Sequence, residues 1–86
     1  DPARALAELV ARVCANQRIA EADLRSGARH RPVSLARATV AYLAFHELGI
    51  SLAETARHFG VSRQALWARR EDGRLAASRL PRSPSQ

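Results

Sequence analysis

The sequence predicts an all-α fold, a small bundle of about four to five helices that contains a helix-turn-helix. Three observations predict it. Hydrophobic residues make up 47% of the chain while aromatics make up 5%, so the core is built mainly from Ala, Leu and Val, and Ala and Leu are strong helix formers. Apolar residues recur at helical spacing, as in Leu6, Leu9, Val10 and Val13. Helix starts and stops punctuate the chain, with Asp1-Pro2, Ser34, Ser51 and Ser62 at starts and Gly27, Gly49 and Gly60 at stops. At 86 residues the chain holds one domain with a modest core. We expect that domain over residues 1–76 and a disordered tail over 77–86.

Each element has a local reason. Asp1 caps the first helix, and Pro2 suits its first turn. Leu6, Leu9, Val10, Val13 and Cys14 give that helix one apolar face, with Arg4, Glu8 and Arg12 off the stripe. Asn16 and Gln17 read as a break. A short helix follows from about Ala20 to Ser26, anchored by Ile19 and Leu24 and stopped at Gly27. The segment Gly27-Ala28-Arg29-His30-Arg31-Pro32 reads as a basic loop. A long helix is expected from about Leu35 to Leu48, capped by Ser34 and ended by Gly49. Leu35, Ala38, Val40, Ala41, Tyr42, Leu43, Ala44, Phe45 and Leu48 leave little of its surface polar, which places it in the middle of the bundle.

The run from Ser51 to Trp67 is the most informative part of the chain. Ser51 followed by Glu54 forms a capping box at a helix start. Ala56 is small where two helices cross closely. Gly60 supplies a positive backbone dihedral at the turn. Ser62 caps a second helix that we expect to run to about Asp72, with Gly73 ending the pattern. Leu52, Phe59, Val61 and Leu66 fix the angle between the two. Arg79 to Gln86, with two prolines and two serines, has the composition of a disordered tail.

The formal net charge is +6, and all 14 basic residues are arginine. Residues 1–24 carry three arginines against four acids, and residues 25–86 carry eleven against four. The positive charge therefore accompanies the two-helix motif, as in a nucleic-acid-binding surface. The single cysteine, Cys14, allows no internal disulfide and falls on an apolar stripe, so a buried thiol in a reducing, cytoplasmic setting is expected. No apolar run approaches the roughly 20 residues of a membrane span. The chain begins with Asp-Pro and has no methionine, which suggests a piece of a longer protein with a domain preceding it. His46 and His58 are solitary and no Cys/His spacing suits a metal. The glycines are scattered and no nucleophile context surrounds a serine, so neither a catalytic site nor a cofactor is expected.

The expected partner is double-stranded DNA, with no membrane and no small-molecule substrate. If Leu66 points inward, Arg63, Gln64 and Trp67 share the exposed side of the second motif helix. Arginine pairs with guanine and glutamine with adenine, so these are the candidate base contacts. Trp67 fits two readings, a core ring that stiffens the domain or an exposed ring against sugar or a thymine methyl. Arg29, His30 and Arg31 of the basic loop are candidate phosphate contacts, as are Ser51, Ser62, Arg69 and Arg70. Arg37 joins them because it falls in the first turn of the predicted central helix, where a cation opposes the helix dipole and an incoming phosphate reverses that penalty.

From Val13 to Trp67 the chain carries Asp23-Leu24-Arg25-Ser26, the basic loop through Arg31, Ala36-Arg37, Ala41-Tyr42-Leu43, His46-Glu47-Leu48, Ser51-Leu52-Ala53-Glu54 and Phe59-Gly60. In order and spacing this resembles the C-terminal DNA-binding domain (domain IV) of the bacterial replication initiator DnaA, within the Trp-repressor-like group of helix-turn-helix folds. The resemblance implies a duplex-DNA-binding scaffold with phosphate contacts carried over at Arg37 and Ser51. That family continues with Gly-Arg-Asp-His-Thr-Thr, whereas this chain has Val61-Ser62-Arg63-Gln64-Ala65-Leu66. The initiator's sequence specificity therefore does not carry over. Leu35 stands close to where the initiator family has an arginine suited to the minor groove. The segments Gly49-Ile50-Ser51-Leu52 and Gly60-Val61-Ser62-Arg63 are also similar to DnaA-like tails of REP-associated tyrosine transposases. That similarity implies a recognition module attached to a larger bacterial enzyme. The competing expectation is a helical protein-interaction domain that uses the same scaffold to dock a partner, marked by an exposed apolar patch containing Trp67.

Overall fold

Asp1 opens the first helix as the sequence predicts, its Oδ1 accepting a hydrogen bond from the Ala3 amide at 3.1 Å. In a computed structural model that describes residues 1–27 and 30–81, the chain forms α1 (Pro2–Gln17), α2 (Glu21–Arg25), α3 (Arg31–Leu48), α4 (Leu52–Phe59), α5 (Arg63–Ala68) and α6 (Arg70–Ser78). Among the described residues there is no strand. The all-α expectation holds, with six helices among the described residues against the four to five expected.

The apolar stripe of α1 packs as its spacing requires, with Leu6, Leu9, Val10, Val13 and Cys14 all buried. Burial pushes the Cys14 thiol pKa up, and Glu21 and Asp23 add to the shift, which suits an inert core thiol. Arg18 ends α1 in the left-handed region at φ 59°, and the chain turns sharply into α2. Gln17 Nε2 donates to Thr39 Oγ1 at 3.0 Å, and that hydroxyl donates to the Leu35 carbonyl at 2.7 Å. Arg12 reaches Glu47 at 3.3 Å, a half-exposed pair of small energetic weight.

α3 is the central element. Its residues from Ala36 to Ala41 are all buried, because α1, α2, α4, α5 and α6 each pack against it. It begins at Arg31 rather than near Leu35, and Ser34 lies inside it. Proline in the first helical turn has its φ already set and no amide to satisfy, so Pro32 starts the helix before Ser34 can cap it. The basic loop is correspondingly shorter. Gly49 ends α3 at φ 68°, and the Ile50 amide returns to the Ala44 carbonyl at 3.0 Å. Two expected core residues of α3 are uncovered, Phe45 at 58% and Leu48 at 37% exposure.

The largest departure follows Leu66. The sequence predicts one helix to about Asp72, ended by Gly73. Arg69 instead leaves helical geometry at φ −110°, ψ 19°, and α6 then runs on to Ser78. Gly73 is buried within α6 against the Ala38 backbone of α3. It permits a close approach rather than a stop, and a glycine signal in sequence does not distinguish the two. Ala77 and Ser78, expected in the tail, close α6, with Ala77 in the core and Leu80 packed against it. Residues 82–86 of that expected tail lie outside the described residues. No helix among the described residues is long and apolar enough to cross a membrane.

Candidate nucleic-acid interface

The α4–α5 pair is built by the caps the sequence shows. Ser51 Oγ accepts from the Glu54 amide at 3.1 Å and donates to Glu54 Oε1 at 3.3 Å. Gly60 takes φ 71°, and its amide and that of Val61 return to the carbonyls of Arg57 and Ala56 at 3.2 and 3.0 Å. Ser62 Oγ accepts from the Ala65 amide at 3.1 Å and so starts α5. Leu66 is buried with Ala41 and Ala56, while Leu52 and Val61 pack against that cluster from the sides.

Burial of Leu66 turns the candidate base-contacting residues outward. Arg63, Gln64 and Trp67 are all exposed. No hydrogen bond or ion pair engages the side chains of Arg63 or Gln64 among the described residues. Trp67 is 57% exposed, which decides between its two readings in favour of the surface. Arg70 stacks its guanidinium 4.1 Å from the Trp67 ring centroid and donates from Nη1 to the Trp67 carbonyl at 2.9 Å. The indole is thus exposed but held.

The candidate phosphate contacts divide. His30 and Arg31 are exposed where α3 begins, and Arg29 lies outside the described residues. Ser51 and Ser62 are exposed, but their hydroxyl oxygens already serve as helix caps. Arg69 pairs loosely with Asp72 at 3.7 Å. Arg31 and Arg69 line one groove of about 180 Å³ together with Arg79, a basic residue that sequence reasoning left out. Its signal was present: Arg79 follows Asp72 and Ala76 at helical spacing, but that stretch read as tail.

Arg37 corrects the expectation. It is 5% exposed, and its Nε donates to the Leu24 carbonyl at 2.9 Å and its Nη2 to the Asp23 carbonyl at 3.2 Å. Because α3 begins at Arg31, Arg37 sits beyond the first turn, and the argument from the helix dipole does not apply to it. The guanidinium satisfies carbonyls at the end of α2 and pins that short helix to α3. It is a structural group, not a phosphate contact.

A second feature was not legible in the sequence. Trp67 lines a groove of about 330 Å³ with Tyr42, Phe45 and His46 of α3, floored by Ala38, Ala41, Leu52 and Leu66 and edged by Arg70, Glu71 and Arg74. Nothing in the spacing of an apolar-rich helix tells which of its large residues a short neighbour leaves uncovered.

Where α2 meets α4, Arg25 Nη2 approaches His58 Nε2 at 3.4 Å, so that nitrogen is an acceptor. Burial, with Arg25 adding, lowers the His58 pKa below its ordinary 6.5. The unfolded chain therefore takes up this proton at higher pH than the folded one. The stability is fully present above 6.5 and is lost as pH falls through the folded-state pKa. The melting temperature should drop as pH falls below 6.5, and His58→Gln should reduce that drop. An equal drop in both proteins would remove His58 as the cause.

No group of His, Cys, Asp and Glu that could hold a metal occurs among the described residues. The chain matches no family model, no curated protein and no solved structure.

Proposed function

We propose that this chain is a double-stranded DNA-binding module that uses α4 and α5 as a helix-turn-helix. The observation that carries the reading is the burial of Leu66, which leaves Arg63 and Gln64 outward and unpaired on a capped helix that follows a glycine turn. In this reading α5 enters the major groove. Arg63 donates two hydrogen bonds to a guanine edge, and Gln64 pairs with an adenine. His30, Arg31, Arg69 and Arg70 contact phosphates, and Arg29 of the same basic sequence segment is a further candidate. The resemblance to the DnaA C-terminal domain and to DnaA-like transposase tails supports placing the module in a larger bacterial, cytoplasmic protein of transposition or replication.

Fluorescence anisotropy with a randomised duplex pool at two salt concentrations, followed by sequencing of the bound fraction, tests this. Binding should weaken steeply with salt, because several arginines displace counterions from phosphates. Arg63→Ala and Gln64→Ala should each cost about 1–3 kcal/mol on the preferred site and relax its sequence. Equal losses on every sequence would remove the base-reading roles.

One observation favours a second reading, a helical interaction domain that docks a protein. Trp67 lies exposed beside an exposed Phe45, the patch such a domain requires. Binding of a protein partner that tolerates salt, with no duplex binding at low salt, would decide for it.

A further inference from the structure

We propose that the groove between α3 and α5–α6 is a stacking site for one unpaired nucleobase, with its sugar-phosphate at Arg70. The inference rests on the nucleic-acid reading and adds a ligand state that duplex recognition does not involve. Three observations carry it.

The first is the lining. Tyr42, His46 and Phe45 form a row of rings along α3, with centroids 4.3 and 5.1 Å apart, and Trp67 faces the same groove from α5. Bases stack on such rings regardless of sequence, because every base has a π-face. The second is the preparation of Trp67. Arg70 holds the ring through its face and its carbonyl, so one indole face is covered by a cation and little side-chain freedom remains to be lost on binding. A base on the other face completes a stack of guanidinium, indole and base.

The third is size and charge. A groove of about 330 Å³ is at the small end of small-ligand clefts, roughly 300–1,000 Å³. It fits one ring system, whereas a docked helix needs a groove for anchors spread over two turns. Arg74 is ion-paired with Glu71, and among the described residues Arg70, at the groove's edge, forms no ion pair of its own, although its charge also acts on Glu71. An anionic ligand with a planar apolar part matches both features.

Trp67 is the only tryptophan, so its fluorescence reports this groove directly. The chain is titrated with a thymidine hexanucleotide and with an abasic hexamer of equal length, while duplex binding is followed separately by anisotropy. The thymidine oligomer should quench Trp67, and the abasic one should not. Phe45→Ala, at an exposed position, should weaken the thymidine oligomer about tenfold and leave duplex binding unchanged. Equal quenching by both oligomers, or none by either while the duplex still binds, would overturn the base site. Quenching by the thymidine oligomer without any duplex binding would leave the groove standing and overturn only the duplex reading. Loss of all nucleic-acid binding would overturn both and favour the protein-docking reading.

Discussion

Gly73→Ala should destabilise the fold by about 2–3 kcal/mol, although the same change in an open helix stabilises. A Cβ at Gly73 would stand 2.4 Å from the Ala38 carbonyl oxygen and 2.6 Å from its carbon. Both are backbone atoms of the central helix and cannot turn aside. α6 would have to lift from α3, loosening the most extensive helix–helix contact in the molecule. The loss is a large fraction of the roughly 5–15 kcal/mol that holds a domain folded. Urea unfolding followed by circular dichroism measures it. An unchanged or raised midpoint would mean that α6 does not lie this close to α3.

Arg37→Ala should cost about 3 kcal/mol, because it strips charged donors from two carbonyls and opens a space between α2 and α3. Leu24, whose carbonyl accepts from Nε, is itself fully buried, so water does not easily replace the guanidinium. Arg37→Lys should recover little, since an ammonium on a flexible stem cannot reproduce the fork that reaches Leu24 and Asp23 together. The salt dependence of duplex binding, measured on the folded fraction, should not change. Unaltered stability with uniformly weaker duplex binding would instead restore Arg37 as a phosphate contact.

These two residues show where the sequence is readable and where it is not. Signals that act within one turn of chain were legible. Asp1, Ser51 and Ser62 cap the helices they were expected to cap, and Gly49 and Gly60 take the left-handed geometry expected at helix ends. The inward side of α5 followed from Leu66 alone. Signals whose meaning depends on a distant partner were not legible. Gly73 reads as a stop until Ala38 lies against it, and Arg37 reads as a surface cation until the end of α2 lies beneath it. Between Pro32 and Ser34 two local start signals competed, and the proline, with its dihedral fixed by covalent geometry, prevailed. Phe45 reads as core yet lies exposed, because which residues of an apolar-rich helix are covered depends on elements far along the chain, which no residue near Phe45 records.

The packing of α6 on α3 also bears on how the chain is made. The two helices run antiparallel, with Gly73 opposite Ala38 and Ala76 and Arg79 near Arg31 and Leu35. During synthesis α3 emerges well before the helix that covers it. Until residues 70–78 leave the ribosome, one flank of the central helix has no intramolecular cover, whatever α1 and α2 have already done on the other. The nascent chain passes through an interval with exposed apolar surface, the state in which small domains aggregate or recruit chaperones. A chain truncated and released just before Gly73 should be far more vulnerable to proteases than one ending just past Ser78.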